Sequence, residues 1–134
     1  MTAARFWREI PARYNLIGTR CTVCGRIYFP PREVCPHCHR KSIGKMERHK
    51  MKGKGHVLSY TVVKEGSANL AAQTPYIMAI IQLEEGENAK LTAQLVECEE
   101  GDLKIGLEVE AVFRKIQEDG KSGVIHYGYK FKPV

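Results

Sequence analysis

Two C-x-x-C pairs, Cys21/Cys24 and Cys35/Cys38, separated by ten residues, restrict this chain more than any other feature. In RCTVCGRIYFPPREVCPHCHRK each pair fits a tight turn whose backbone N–H groups point at the sulfurs. The intervening GRIYFPPREV supplies strand-forming Ile27, Tyr28 and Phe29, then a double proline that turns the chain back. Two such knuckles facing each other offer four thiolates to a tetrahedral ion, the geometry that Zn²⁺ prefers. A four-sulfur set leaves no open coordination position, so one structural Zn²⁺ is expected, standing in for the core so short a segment cannot build. An iron–sulfur cluster is the lesser alternative. His37 and His39 flank Cys38 and are read as exposed neighbours, because four sulfurs are already in register.

The opening MTAARFWREIPARY lacks the 7–15-residue apolar centre of a secretory signal, and no apolar run approaches the ~18–20 residues of a spanning helix. A cytoplasmic, reducing location with no membrane contact is therefore expected, which disfavours disulfides.

Charge divides the chain. Residues 1–54 carry 13 Lys/Arg against three Glu, and residues 55–134 carry eight against 12 Asp/Glu. A basic first part suits nucleic acid, a phosphorylated ligand or an acidic protein surface, and charge alone does not choose among them.

Phe6, Ile10 and Tyr14 recur at spacing four with Trp7 beside them, an aromatic ridge on one side of a helix. Thr2 is the expected N-cap, and Pro11 predicts a break or a second short turn. The ridge either packs on its own domain or docks into a partner groove. Arg40 to Lys54, RKSIGKMERHKMKGK, has almost no apolar periodicity and reads as a linker or the lead-in to a strand.

Five strands are predicted beyond it: Gly55–Val63, Tyr76–Leu83, Leu91–Glu97, Val109–Ile116 and Gly123–Phe131. Glu65–Pro75 reads as an irregular loop and Glu99–Leu107 as a turn-rich connection. Five antiparallel strands with a long connection after the third suit a small Greek-key barrel of the OB type, with a β-sandwich as the alternative. The expected fold is mainly β: a helical arm (1–14), a rubredoxin-like zinc ribbon (15–45) and an OB barrel (46–134).

An active site is hard to find. Cys98 lies among Glu97, Glu99 and Glu100, neighbours that disfavour a thiolate. His56 and His126 fall in predicted strands and read as structural or surface histidines. G-x-S-x-G, P-loop and dinucleotide fingerprints are missing, and GKGHV leads into a strand rather than a helix.

The order of pieces resembles the acyl-CoA-associated zinc-ribbon/OB-fold family, long catalogued as a domain of unknown function. FWREI, RCTVCGRIYFPPREVCPHC, GKGHVLSYTVV, PYIMAIIQLEEG, LTAQLVE and IGLEVEAVF carry the resemblance across nearly the whole chain. It implies a non-catalytic accessory subunit of thiolase-fold enzymes. In archaea it implies a bridge between acetoacetyl-CoA thiolase and HMG-CoA synthase in the mevalonate route, with CoA at the interface. Under this reading Arg40, Lys50, Lys52 and Lys54 meet CoA phosphates or partner carboxylates, and Phe6, Trp7, Ile10 and Tyr14 dock a partner. The basic MERHKMKGKG and the tail HYGYKFKPV depart from the family pattern. The rival is a single-stranded nucleic-acid-binding ribbon/OB protein. Against it, predicted strands two and three carry only Tyr76 for base stacking and no Lys or Arg. Tyr127, Tyr129 and Phe131 form a stripe that fits barrel core or a protein interface better than a stacking platform.

Overall fold

The structure, a computed structural model, describes residues 3–66, 74–118 and 125–134. Thr2, read as an N-cap, lies outside them, as do most of the loop expected over Glu65–Pro75 and the first two residues of the predicted fifth strand.

The arm is two short helices, α1 (Ala3–Arg8) and α2 (Ile10–Asn15). The break falls at Glu9 rather than Pro11, which occupies the first turn of α2, where a missing N–H costs nothing. Leu16 caps α2 in the left-handed region (φ 52°), its N–H donated to the Ala12 carbonyl, and its side chain is buried in the core.

Strands β1 (Ile17–Cys21), β2 (Ile27–Tyr28) and β3 (Met46–Lys50) form a small sheet in the order β2-β1-β3. The segment read as a linker or the lead-in to a strand thus contains a strand of its own. Met46 pairs with Cys21 and Lys50 with Ile17, so the ribbon's sheet runs to Lys50. β3 lies at an edge, with mostly exposed side chains, so MERHK carries no apolar alternation to betray it.

Five longer strands follow: β4 (Lys54–Val63), β5 (Tyr76–Leu83), β6 (Lys90–Leu95), β7 (Glu108–Glu118) and β8 (Ile125–Pro133). They close in the order β4-β5-β6-β8-β7, with β7 returning to β4. All pairs are antiparallel except β6 with β8, where Leu95 lies opposite Phe131. Numbered within the barrel this is 1-2-3-5-4, the OB arrangement, and the expected strands fall on it. YIMAIIQL reads as uniformly apolar, but a barrel strand has one inner face: Ile77, Ala79, Ile81 and Leu83 are buried, while Ile80 is exposed.

One core joins ribbon and barrel. Leu16, Phe29 and Met51 are buried with Val57, Ile81, Leu83, Val109 and Phe131 of the barrel. Phe29 also bridges to Ala89, its N–H donated to the Asn88 carbonyl at 3.5 Å, and its ring meets Tyr129 edge-on at 5.8 Å. A side chain at position 18 would strike the Tyr28 carbonyl and the Met51 methyl, which is why the β1 crossing holds a glycine.

Candidate metal centre and the surfaces around it

The two knuckles repeat one local geometry. Gly25 N–H is donated to the Cys21 carbonyl at 2.8 Å, and His39 N–H to the Cys35 carbonyl at 2.9 Å. The residue after each second cysteine is left-handed: Gly25 at φ 79° and His39 at φ 52°. Glycine takes this conformation freely, whereas at His39 a side chain costs ~1–2 kcal/mol.

The knuckles bring the Sγ atoms of Cys21, Cys24, Cys35 and Cys38 within 4.8 Å of one another. Cys24–Cys35 is 3.6 Å and Cys21–Cys38 is 3.9 Å. A tetrahedral ion with bonds of about 2.3 Å spaces its sulfurs about 3.8 Å apart, so the donor set fits Zn²⁺.

The thiols titrate unequally. Burial pushes Cys35 up, but the Tyr28 hydroxyl at 3.2 Å and the Cys38 and His37 backbone N–H groups outweigh it and bring it down to about 6. Cys38 is pushed up to about 12 by burial and by the neighbouring sulfurs of Cys24, Cys21 and Cys35. Cys24 is lowered, chiefly by the Arg26 backbone N–H. Four sulfurs this close cannot all ionise by themselves, and a dication removes the conflict.

Two supports were not recognised in the sequence. Tyr28, buried by its place in β2, directs its hydroxyl at Cys35. Ser42, fully buried in a 3-10 turn over His39–Ser42, accepts the Cys35 N–H at 2.8 Å and donates to the His39 carbonyl at 2.7 Å. The only hint in the sequence was a small hydroxyl residue just past the fourth cysteine, too common a signal to act on. His37 and His39 are exposed, and His37 Nδ1 lies 3.8 Å from Cys38 Sγ.

The basic candidates separate. Arg40 sits in the turn at the metal end, whereas Lys50 pairs with Ile17 at the other end of β1, about 13 Å away along the strand. Lys50 and Lys52 share a cavity of about 200 Å³ with Tyr14 and Phe113, while Lys54 lines a different one with His56 and Glu84.

The aromatic ridge divides too. Phe6 is 6% exposed and packs on its own domain, its ring 4.4 Å from His126 and 6.1 Å from Tyr14. It is therefore not available for docking, since the barrel that the sequence could not place beside the arm already covers it. Trp7 points outward at 72% exposed, and Ile10 and Tyr14 are half-buried. Tyr14 meets Phe113 edge-on at 5.1 Å, and Phe113 stacks on Tyr127 at 5.4 Å, both rings partly open to solvent. The Tyr127–Tyr129–Phe131 stripe thus runs from surface into core, with Phe131 fully buried.

His126 is buried, and His56 is half-buried opposite Gln82. The Cys98 thiol is pushed up by burial, then by Asp102 and Glu99. No helix among the described residues is long and apolar enough to cross a membrane.

Residues 8–44 match the rubredoxin-like zinc ribbon domain of ChsH2, and residues 48–114 match its C-terminal OB-fold domain. A DUF35 domain-containing scaffold protein of Methanocaldococcus jannaschii is 54% identical, over 97% of this chain and 89% of its own. The benzoylsuccinyl-CoA thiolase subunit BbsA of Thauera aromatica is 31% identical, over 89% of this chain and 76% of its own. Among solved structures, the Ltp2-ChsH2(DUF35) aldolase superposes with a TM-score of 0.71 at 26% identity, covering 99% of this chain and 96% of the matched one. A ribbon whose four cysteines are gathered for a metal, an OB barrel in the matching order and these relatives agree: the chain belongs to the DUF35 family of ChsH2-type zinc-ribbon/OB-fold proteins.

Proposed function

We propose that this chain is a connector without catalysis of its own that holds acetoacetyl-CoA thiolase and HMG-CoA synthase together in the cytoplasm. Cys21, Cys24, Cys35 and Cys38 keep one structural Zn²⁺, and the ion shapes the ribbon rather than reacting. The observation that carries the reading is a pair of exposed apolar faces at opposite ends of β1. Val23, Val34 and Ile43 surround the metal end, and Phe113 and Tyr127 lie beside Tyr14 at the other. A bridge needs two docking faces, and isolated apolar side chains on a monomer do not gather this way by need. The relatives support the same reading, one named as a scaffold and one as a thiolase subunit.

The benefit of such a connector is thermodynamic. Thiolase condensation of two acetyl-CoA molecules runs uphill, so the next enzyme must consume the product before it escapes. Tethering the two raises the effective concentration of the intermediate to the millimolar range without any new contact chemistry. In this reading Lys50 and Lys52 meet CoA phosphates or partner carboxylates, and their sharing of one cavity with Tyr14 and Phe113 supports it.

The nucleic-acid reading gains little. On β5 and β6 the side chains between the buried ones are Tyr76, Met78, Ile80 and Gln82, then Lys90, Thr92 and Gln94, with a single aromatic ring among them.

The test is affinity capture from native extract at physiological salt, read by mass spectrometry. Both enzymes are expected with the chain. Recovery of neither, or turnover of an acyl thioester by the isolated chain, overturns the proposal.

A further inference from the structure

Strand β3 (Met46–Lys50) lies at the edge of the ribbon sheet, and β1 is its only strand partner among the described residues. The ladder between them fixes which way its backbone points. Met51 N–H is donated to the Leu16 carbonyl at 3.0 Å and Thr22 N–H to the Lys45 carbonyl at 3.1 Å, one pair beyond each end of the β1–β3 register. Bonded and non-bonded pairs alternate along an antiparallel ladder, so His49 and Glu47 turn their backbone groups toward Gly18 and Arg20. Cys21 N–H, donated to the Arg26 carbonyl on the β2 side, keeps the same alternation. Met46, Arg48 and Lys50 therefore turn their N–H and C=O groups away from the sheet. Among the described residues these groups meet no hydrogen-bond partner.

We propose that this edge takes an extended acidic segment of a partner protein as a further antiparallel strand. Exposed edges are usually blunted by proline or a bulge, and β3 has neither. Charge is the device it does carry, and here charge selects a partner. Lys45–Lys54 holds five Lys/Arg against one acid, Glu47, which Arg20 already meets at 3.2 Å. A second copy laid antiparallel on β3 would set Arg48 and Lys50 against the same cations, whereas an acidic strand meets them with opposite charge. The barrel uses that match itself. Glu110 of β7 lies opposite Lys54 on one side and Lys132 on the other, its Oε1 3.6 Å from the Lys132 Nζ. The incoming strand must place acidic residues opposite Lys50 and Arg48 and an apolar one opposite half-buried Met46. Its pattern is therefore acidic-x-acidic-x-apolar. Main-chain bonds supply the affinity and alternate side chains the specificity.

The inference deepens the connector reading and rests on it only for the source of the segment, a partner protein. The experiment follows the anisotropy of a labelled seven-residue peptide added to the zinc-loaded full chain at physiological salt. The peptide has glutamates at its second and fourth positions, a valine at its sixth and threonines elsewhere. Saturable binding is expected, and glutamines in place of both glutamates weaken it at least tenfold. Methyl groups on the amide nitrogens of the second and fourth residues, which face β3, also weaken it at least tenfold. The same two methyls on the third and fifth residues, which face away, change it less than threefold. On the protein side, Lys50→Pro removes an outward N–H and spares the ladder to β1, so it weakens binding at least threefold more than Lys50→Gln does. Lys104→Gln, an equal loss of charge at an exposed position off this sheet, changes it less than threefold. Should Lys50→Pro fail to hold zinc, the two methylated peptides decide the matter on the parent chain. The proposal is overturned by no saturable binding at millimolar peptide, or by equal losses from the two methylation patterns, which reduce the contact to charge alone. It is also overturned if oligothymidylate displaces the labelled peptide at lower concentration than the unlabelled peptide does, which makes the basic edge a nucleic-acid contact. Peptide binding is read on the isolated chain, so it succeeds or fails independently of which enzymes are captured from extract.

Discussion

Replacing Ser42 by alanine should loosen the metal although Ser42 is not a ligand. Its hydroxyl is fully buried and makes two hydrogen bonds, from the Cys35 N–H at 2.8 Å and to the His39 carbonyl at 2.7 Å. Ser42→Ala leaves a buried N–H without an acceptor, at ~1–3 kcal/mol, and also removes a donor from the part-buried His39 carbonyl. A net loss of about 2–3 kcal/mol falls on the knuckle that carries Cys35 and Cys38. Because ribbon folding and metal binding are linked, the loss appears as metal affinity, and at 1.4 kcal/mol per decade it is about 30–150-fold. The control sits on the other knuckle. Thr22 donates to the Lys45 carbonyl at 2.8 Å, but this bond is exposed, so Thr22→Val should cost less than about 0.5 kcal/mol and shift affinity less than threefold. The assay is Zn²⁺ competition against a chromophoric chelator at pH 7.5. An S42A affinity within threefold of the parent, or a T22V loss equal to that of S42A, would refute the argument that burial decides which hydroxyl matters.

Phe29→Ala should cost ~3–5 kcal/mol, because the ring is buried between ribbon and barrel, and should lower the thermal midpoint by roughly 10–20 °C with one ion per chain retained. Separate melting of the two modules in calorimetry would add support, and an unchanged midpoint would count against a shared core. Gly55→Ala places a methyl against the Gln82 backbone carbonyl across β4 and β5, so a loss of ~3 kcal/mol or more is expected in denaturant unfolding, and a stable variant would show that the strands move apart freely. The Tyr28 hydroxyl is pushed up to about 12 by burial and by Cys35, against an ordinary value of 10.0. The unfolded chain therefore loses this proton first, so stability falls as pH rises from about 10 to about 12. Tyr28→Phe should flatten that part of the stability–pH curve, and identical slopes would remove the effect.

Legibility followed the range of the interactions. The metal module was readable because ligand spacing is a local property: cysteines two residues apart on a turn aim together whatever surrounds them. The barrel strands were readable from β-branched and aromatic runs, and Tyr76–Leu83 matches to the residue. Met46–Lys50 escaped because an edge strand exposed on most of its length needs no apolar alternation, only a partner backbone, and β1 supplies it.

The same contrast runs through the candidate surfaces. Sequence alone determined the four-sulfur cage, the β barrel that follows it and the charge imbalance between the two parts, since each is written in neighbouring residues. Only the folded chain decided that Phe6 turns inward against His126 while Trp7 turns outward, and that Lys50 parts company with Arg40. It also decided that Arg8, Arg13 and Arg48 face one cleft. These are juxtapositions of residues far apart in the chain. No local pattern encodes them, because they are set by how closed sheets and a short arm share one core.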